Sequence, residues 1–129
     1  MKSSNKSIGD FGEARAVAYL RRRGYIITER NYRTGHYEID IIARRWNEIA
    51  FVEVKTRTYE ADEIDLAPPP GNAVKRDKQY FTRRAAQQYL FEHPTRRKPR
   101  MDVIEVWLLK QENSKRPKVY KIRHLKGAY

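Results

Sequence analysis

The chain has 129 residues, with 28 Lys and Arg against 16 Asp and Glu, and a formal charge of +12. This length fits a single domain with one core, and 40% hydrophobic residues are enough to fill that core. The absence of cysteine excludes disulfides and zinc–thiolate sites. The basic excess favours a polyanion as partner, because neutralised phosphates release counterions. A basic protein that is simply kept soluble by its charge is the alternative.

Nothing in the sequence directs the chain to a membrane or to export. Its start is basic, but no apolar segment follows as it does in a signal peptide. No apolar run is long enough to span a bilayer. We therefore predict a cytoplasmic protein that does not contact a membrane.

The first element predicted along the chain is a helix. After a polar segment at 1–6 that we expect to be frayed, Ser7 or Asp10 can cap a helix that runs to about Arg23. Apolar residues recur in it at helical spacing, and Gly24 is of a type that commonly ends a helix.

Three strands are predicted next, because the sequence becomes rich in β-forming residues and alternates between apolar and polar positions. They span residues 25–33, 36–44 and 49–57. In the second strand the alternation places Ile39 and Ile41 on one side and Asp40 on the other. The segment 45–48 is typical of a tight hairpin turn.

An acidic, proline-rich segment at 59–72 interrupts this pattern and is predicted to be a flexible loop without helix or strand. A second helix is predicted over 73–92, followed by a basic linker at 95–100. Two further strands, at 101–109 and 119–125, complete the chain.

The order of these elements favours an α/β fold, a mixed sheet of about five strands flanked by helices, in one domain over residues 1–129. The second helix is a long crossover between the third and fourth strands, so those two strands are expected to run parallel.

The residues that suggest chemistry lie on the second and third strands. Glu53 and Lys55 project from the same face, because side chains two residues apart in a strand share a face. If Trp46 and Asn47 form a two-residue turn, Asp40 lies opposite Glu53 at about 5 Å. A slip of one residue would put the two carboxylates on opposite faces.

Two carboxylates at that separation repel each other unless a cation lies between them. Mg²⁺ prefers oxygen ligands, often one or two carboxylates with water and phosphate, so Asp40 and Glu53 are candidate ligands, with the Val54 carbonyl as a third. Lys55 could orient the water or stabilise the transition state of phosphodiester hydrolysis. The simpler alternative is an ion pair between Glu38 and Lys55 on a solvated face.

Three blocks of sequence carry a wider likeness when they are taken in order. They are Gly12-Glu13 with Ala18-Tyr19-Leu20 and Gly24-Tyr25, Arg30-Asn31-Tyr32-Arg33 with Glu38-Ile39-Asp40, and Phe51-Val52-Glu53-Val54-Lys55-Thr56-Arg57. Together they resemble the UPF0102 (YraN) family, small bacterial proteins of the restriction-endonuclease-like PD-(D/E)xK superfamily. The likeness runs from about Gly9 to Val106. Tyr37 departs from it, because the family usually has glycine there, and so does the long acidic segment at 59–72.

The resemblance implies a restriction-endonuclease-like fold with a nuclease site. Asp40 and Glu53 would be the metal carboxylates and Lys55 the catalytic lysine. Glu13 matches an acidic residue that archaeal Holliday-junction resolvases carry on their first helix. The implied cofactor is Mg²⁺ or Mn²⁺ and the implied partner is DNA. Relatives that cut branched DNA act as symmetric dimers, which by analogy alone allows a homodimer.

Two further acidic residues and the histidines have less specific roles. Glu13 shares a helical stripe with apolar residues and so can face the sheet, although an acid near a helix start more commonly offsets the helix dipole. Asp102 is expected to form a salt bridge or cap a turn. The three histidines share no ligand spacing and are expected at the surface.

Four basic residues are candidates for contacts to a nucleic-acid backbone. Lys78 interrupts an apolar stripe of the second helix, so it either extends to solvent or reaches a phosphate near Lys55. Arg33, Arg57 and Lys75 are the other three candidates.

The predicted function is a divalent-metal-dependent nuclease that hydrolyses phosphodiester bonds in DNA, branched or single-stranded. One alternative is a non-catalytic nucleic-acid-binding module on a nuclease fold, since fold does not imply function. A second is a partner-binding adaptor whose basic faces are incidental. The acidic loop at 59–72 is expected to border the cleft and to repel a phosphate backbone, which counts against cleavage of duplex DNA.

Overall fold

A computed structural model describes residues 2–66 and 75–129. Within these residues the elements are α1 Lys2–Arg22, β1 Ile26–Thr34, β2 Tyr37–Arg45, β3 Glu48–Tyr59, a 3-10 turn Ile64–Leu66, α2 Arg76–Glu92, β4 Lys98–Leu109 and β5 Lys118–Leu125. Neither of the two α-helices described is long and apolar enough to cross a membrane.

The strands of the described segments form one mixed sheet in the order β1-β2-β3-β4-β5. Neighbouring strands are antiparallel except β3 and β4, which pair in parallel from Glu48 opposite Lys98 to Tyr59 opposite Leu109. The crossover that a parallel pair requires contains α2. The predicted α/β class, the mixed five-stranded sheet and the parallel pair are confirmed.

One face of the sheet is covered by α1. Its Ala16, Val17 and Leu20 recur at helical spacing and are buried against strand residues that include Ile41 and Val52. Burying an aliphatic side chain of this size contributes roughly 1.5–3 kcal/mol. This packing therefore holds α1 on the sheet.

The predicted end of α1 at Gly24 is confirmed. Gly24 has φ +85°, which glycine adopts without a steric cost. The N–H of Gly24 donates to the carbonyl of Arg21, and the N–H of Tyr25 donates to that of Leu20, each at 3.0 Å. This pair of bonds is the Schellman motif, which satisfies carbonyls that the helix end leaves free.

The opposite face of the sheet is covered by α2. Ala85, Ala86 and Tyr89 pack there against residues that include Ile42 and Phe51. The sheet thus lies between two helices, and each face has its own apolar cluster.

Two predicted boundaries are wrong. The segment 2–6 is helical rather than frayed, and neither Ser7 nor Asp10 caps α1, which begins at Lys2. No glycine or proline breaks the helix over 2–8, and too few apolar residues lie there to signal it. β4 begins at Lys98, inside the predicted linker, because its ladder with β3 extends to the hairpin turn.

The predicted loop at 59–72 also needs correction. Tyr59 is the last residue of β3 and is buried, because the ladder with β4 reaches it. Residues 60–63 form a turn region, and the 3-10 turn Ile64–Leu66 follows. The rest of the loop, and the first two residues predicted for α2, lie outside the described residues.

Asp102 forms salt bridges in the core, as predicted. Its fully buried carboxylate accepts hydrogen bonds from Arg100 at 2.8 and 2.9 Å and from the Gly127 N–H at 3.0 Å. His124 Nε2 lies 2.7 Å from it, and the His124 side chain is 3% exposed. The expected surface position of His124 is therefore wrong, because a buried carboxylate needs donors around it.

Candidate active site

The hairpin between β2 and β3 has the predicted two-residue turn. Arg45 pairs with Glu48, and the ladder continues in that register to Ile41 opposite Val52. The ladder pairs end there, one residue before Asp40. The Asp40 carboxylate instead accepts a hydrogen bond from the Val54 N–H at 2.8 Å. A side chain thus replaces a backbone partner, and the two strands separate at this point.

The alternation of side chains in β2 is interrupted at the same point. Arg30 pairs with Ile41 and Tyr32 pairs with Ile39, yet Ile41 packs on the α1 side and Ile39 on the α2 side. The prediction that these two isoleucines share a face is therefore wrong. Asn31 lies between the two pairs with φ 53°, a left-handed conformation that asparagine tolerates better than most residues.

An open cleft of about 1030 Å³ lies where β2 and β3 separate. It is lined from four elements, by Ile8, Gly9, Asp10 and Glu13 of α1, Asn31 and Arg33 of β1, Glu38 and Asp40 of β2, and residues 53–58 of β3. Asp40, Glu53, Lys55 and Glu13, the predicted catalytic residues, all line this one cleft.

Glu53 is buried beside two ammonium groups. Lys55 Nζ lies 3.6 Å from Glu53 Oε2, and Lys78 Nζ lies 3.7 Å from Glu53 Oε1. The prediction that Glu53 and Lys55 share a face is confirmed, as is the alternation with Val54, which packs towards α1. Lys78 reaches the predicted site rather than extending only into solvent.

The Asp40 carboxyl is hard to ionise in this setting. Burial raises its pKa to about 7, and the charges of Glu53 and, more weakly, Glu13 add to the effect. The hydrogen bond from the Val54 N–H and the charge of Lys78 act in the opposite direction. Burial and the charge of Glu53 thus disfavour the Asp40 carboxylate, and a cation beside it would favour it.

Glu13 faces the sheet, as its helical stripe predicts, and is 9% exposed. Its Oε1 accepts hydrogen bonds from Asn31 Nδ2 at 3.1 Å and from Arg30 Nη2 at 3.3 Å. Its neighbour Gly12 is buried directly against Thr56 of β3, where no Cβ would fit without a shift. Gly12 thus lets α1 approach β3 closely enough to bring Glu13 into the cleft.

The other predicted nucleic-acid contacts differ in position. Arg33 and Arg57 are exposed and line the cleft. Arg33 Nε forms an ion pair with Glu38 at 3.1 Å, so the alternative pair between Glu38 and Lys55 does not form. Lys75 is exposed at the N-terminus of α2 and is not among the cleft-lining residues.

The acidic side chains of the cleft provide only part of the ligand set that a hard cation such as Mg²⁺ requires. Within residues 2–66 and 75–129, no three Asp, Glu or His side chains converge closely enough to hold an ion by themselves. Two carboxylates, those of Asp40 and Glu53, remain as the donor pair, and Mg²⁺ commonly uses one or two carboxylates with water and phosphate. The donor set therefore suits an ion that keeps several water ligands.

The described part of the acidic loop does not line the cleft. None of the residues 60–66 lines it. Glu60 forms an ion pair with Lys110 at 3.4 Å, and the Glu63 carboxylate accepts a hydrogen bond from the Glu60 N–H at 2.7 Å. For residues 60–66 the prediction that the loop borders the cleft is wrong, and the carboxylates of Glu60 and Glu63 make local contacts instead.

Asn31 lines the cleft, and the sequence patterns assigned it no role there. It has the left-handed backbone conformation between the Arg30 and Tyr32 pairs, and it is one of the two donors to Glu13. A usable signal was present, because asparagine is rare inside strands and tolerates φ > 0. Its role depends on Glu13 across a long sequence separation, which no local pattern indicates.

A mixed sheet between two helices, with a parallel central pair and an acidic cleft where two strands part, defines a restriction-endonuclease-like α/β protein. The model of "Uncharacterised protein family UPF0102" matches residues 12–106. The chain belongs to this family, and the resemblance deduced from its motifs is confirmed.

The relatives cover nearly the whole chain. A UPF0102 protein of Alkaliphilus oremlandii is 44% identical over 128 residues, which is 97% of this chain and 99% of that protein. UPF0102 proteins of Geotalea uraniireducens and Bacteroides thetaiotaomicron are 40% and 38% identical, over 99% and 98% of this chain and 93% and 95% of theirs. The likeness therefore includes every element of the described fold.

Proposed function

We propose that the chain is a divalent-metal-dependent nuclease that hydrolyses phosphodiester bonds in DNA. The observation that carries the proposal is that Asp40, Glu53, Glu13 and Lys55 all line one open cleft. Ionisable groups with a raised pKa and opposite charges beside them are characteristic of catalytic sites. The charge of +12 on the whole chain supports a polyanionic substrate.

Asp40 and Glu53 are the side chains that would hold the ion, with the Val54 carbonyl as a further ligand. Mg²⁺ or Mn²⁺ would supply positive charge to the phosphoryl oxygens and make a bound water more acidic. Burial and the charge of Glu53 disfavour the Asp40 carboxylate, and a bound cation would shift the balance back to it.

Two lysine side chains place positively charged ammonium groups at the site. Lys55 and Lys78 approach different oxygens of Glu53, at 3.6 and 3.7 Å. A lysine ammonium on a flexible stem can move from a carboxylate to a phosphoryl oxygen. Lys55 is assigned to orient the attacking water or to stabilise the charge that develops on the phosphoryl group.

Glu13 is held in place rather than left free. The bonds from Arg30 and Asn31 fix its carboxylate at the α1 wall of the cleft. A buried acid that is oriented by two donors can position water or substrate without a reorganisation cost. Glu13 therefore completes the acidic set that we assign to the reaction.

The test is a cleavage assay on single-stranded, duplex and branched DNA and on RNA, with Mg²⁺, Mn²⁺ or EDTA. Asp40→Asn, Glu53→Gln and Lys55→Ala should each reduce the rate by about 100-fold or more, the scale seen when one transition-state contact is removed. Glu60→Gln is the matched control, because Glu60 is an exposed acid outside the cleft.

Equal cleavage by wild type and a variant with all three site substitutions would mean a contaminating nuclease and sink the proposal. Salt-sensitive binding without turnover, retained in the variants, would favour the non-catalytic binding module. Calorimetric titration with Mn²⁺ is the second readout, since heat that is lost in Asp40→Asn and Glu53→Gln but kept in Glu60→Gln would assign the ion to these carboxylates.

A further inference from the structure

Three aromatic side chains form a group where β2 begins beside α2. The ring of Tyr37 stacks on that of Phe81, with centroids 5.6 Å apart and an interplanar angle of 26°. The ring of Tyr80 meets Phe81 edge-on, also at 5.6 Å. Tyr80 is 56% exposed and Phe81 is 43% exposed. We refer to Tyr37, Tyr80 and Phe81 as the aromatic group.

Core packing does not account for the exposed faces of this group. On the same helix, Tyr89 is 7% exposed and packs in the apolar cluster under α2. Tyr80 and Phe81 instead present ring surface to water, side by side. Contiguous exposed apolar surface of this kind commonly marks a binding site.

The aromatic group adjoins the candidate active site. Lys78, whose ammonium lies 3.7 Å from Glu53, precedes Phe81 by three residues on α2. Residues three apart on a helix are surface neighbours, about 5–6 Å between their Cβ atoms. Tyr37 packs on the α2 side of the sheet, whereas the next residue, Glu38, lines the cleft. The aromatic group therefore lies outside the cleft lining and is connected to Glu53 through Lys78, so a strand that meets Lys78 beside Glu53 can continue over the group.

The charge around the group indicates what its occupant is. α2 carries four basic residues against two acidic ones, namely Arg76, Lys78, Arg83 and Arg84 against Asp77 and Glu92. Exposed rings among cations are the combination that binds single-stranded nucleic acid, because bases stack on the rings while phosphates meet the charges. An apolar peptide would gain nothing from this charge.

We propose that the aromatic group stacks unpaired nucleobases, so that the substrate reaches the cleft as single-stranded or locally unpaired DNA. This rests on the proposed function, which it deepens by naming the feature of the substrate that is recognised. Stacking tolerates any base, because every base has a π face. Duplex DNA keeps its bases paired and stacked inside the helix, so it would contact the same surface through phosphates alone.

The experiment measures binding without turnover. Fluorescence anisotropy in EDTA compares a labelled oligothymidine with an abasic oligonucleotide of the same length and charge. The wild type should bind oligothymidine about tenfold more tightly than the abasic probe, as expected for stacking of one or two bases. Phe81→Leu and Tyr80→Leu should remove most of this preference and leave binding of the abasic probe unchanged.

Phe91→Leu is the matched control. Phe91 is 82% exposed on the same helix, ten residues beyond Phe81 and thus about 15 Å further along its axis. The Phe91→Leu variant should therefore bind oligothymidine in preference to the abasic probe as strongly as wild type does. Circular dichroism melts of the three variants confirm that each remains folded.

Equal binding of both probes by the wild type overturns the proposal. So does a preference that survives in both Phe81→Leu and Tyr80→Leu, or one that falls as much in Phe91→Leu. Because no ion is present, this result is independent of catalysis. If the protein cleaves DNA but shows no preference for the probe with bases, the proposed function stands and base stacking is rejected. If it shows the preference but does not cleave DNA, base stacking stands and the proposed function is rejected.

Discussion

At the scale of single residues, the protonation of Asp40 links the cleft to the stability of the fold. Burial and the charge of Glu53 raise its pKa from 3.8 to about 7. A carboxyl whose pKa is higher in the folded chain takes up a proton on folding. Its contribution to stability is therefore greatest at low pH and falls as the pH rises from 3.8 to about 7.

We predict that Asp40→Asn stabilises the metal-free protein above neutral pH. The amide removes a buried charge while its oxygen can still accept the Val54 N–H. The gain in the free energy of unfolding should be about 1–2 kcal/mol. It is smaller than the shift in the Asp40 pKa implies, because part of that shift arises from repulsion between Asp40 and Glu53, which belongs to both carboxyls. Urea denaturation in EDTA at about pH 8 and about pH 4 measures it, and the difference should vanish at the lower pH.

A variant that is less stable than wild type at about pH 8 would contradict the raised pKa of Asp40. Adding Mn²⁺ provides an internal control. If the proposed site is correct, the ion stabilises wild type and not Asp40→Asn, because a ligand stabilises only the form that binds it.

At the scale of elements, the position of α1 over β3 depends on Gly12. A Cβ at this position would lie 2.8 Å from the Cβ of Thr56 and closer still to its hydroxyl. We predict that Gly12→Ala lowers the free energy of unfolding by roughly 1–3 kcal/mol, the usual cost of overpacking. It should also move Glu13 outward and so reduce any cleavage activity.

Gly9→Ala is the matched control for this prediction. Gly9 lies on the same helix, and nothing lies within 4 Å of a Cβ built there. Alanine should therefore stabilise α1 by about 0.5–1 kcal/mol through its higher helix propensity. Urea denaturation measures both variants. If Gly12→Ala raised the free energy of unfolding as Gly9→Ala does, the contact between Gly12 and Thr56 would not limit the packing of α1.

The hairpin of β2 and β3 shows how far an element can be predicted. Alternation and a two-residue turn were sufficient to predict the register from Arg45 opposite Glu48 to Ile41 opposite Val52. The same rule fails at Asp40, where a side-chain hydrogen bond to Val54 replaces the ladder. The pattern rules assume a regular strand, and the cleft exists where that regularity ends.

At the scale of the whole molecule, a buried polar network connects distant parts of the chain. The Arg100 guanidinium donates to Asp102, to Glu48 Oε1 at 2.7 Å and to the Tyr25 hydroxyl at 2.7 Å. His124 of β5 contacts the same Asp102 carboxylate. The network thus joins β3, β4 and β5 to the segment that follows α1.

We predict that Asp102→Asn destabilises the fold by about 3 kcal/mol at neutral pH, because it removes the buried one of the two carboxylates that pair with Arg100 and leaves only the partly exposed Glu48. Burial opposes ionisation of Asp102, but bonds from His124 and Arg100 outweigh it and hold the pKa below its usual 3.8. The stability it contributes is thus present above 3.8 and lost as the pH falls through the lower folded value.

Urea denaturation of wild type and Asp102→Asn across the acidic range tests this dependence. The difference in the free energy of unfolding between the two proteins should decrease as the pH falls below 3.8. Asp62→Asn, at an exposed turn position, should remain within about 0.5 kcal/mol of wild type throughout. If the difference in the free energy of unfolding were the same at every pH, the Asp102 carboxylate would not be the source of the stability.

The amino-acid sequence by itself determined the α/β class, the parallel pair, the family and the shared strand face of Glu53 and Lys55, because these follow from local periodicity and ordered motifs. Only the tertiary structure decided that Asn31 takes a left-handed conformation within β1 and holds Glu13, that Gly12 brings Glu13 to the cleft, and that His124 is buried. Those positions depend on contacts between residues far apart in the chain, and a local pattern cannot carry that information.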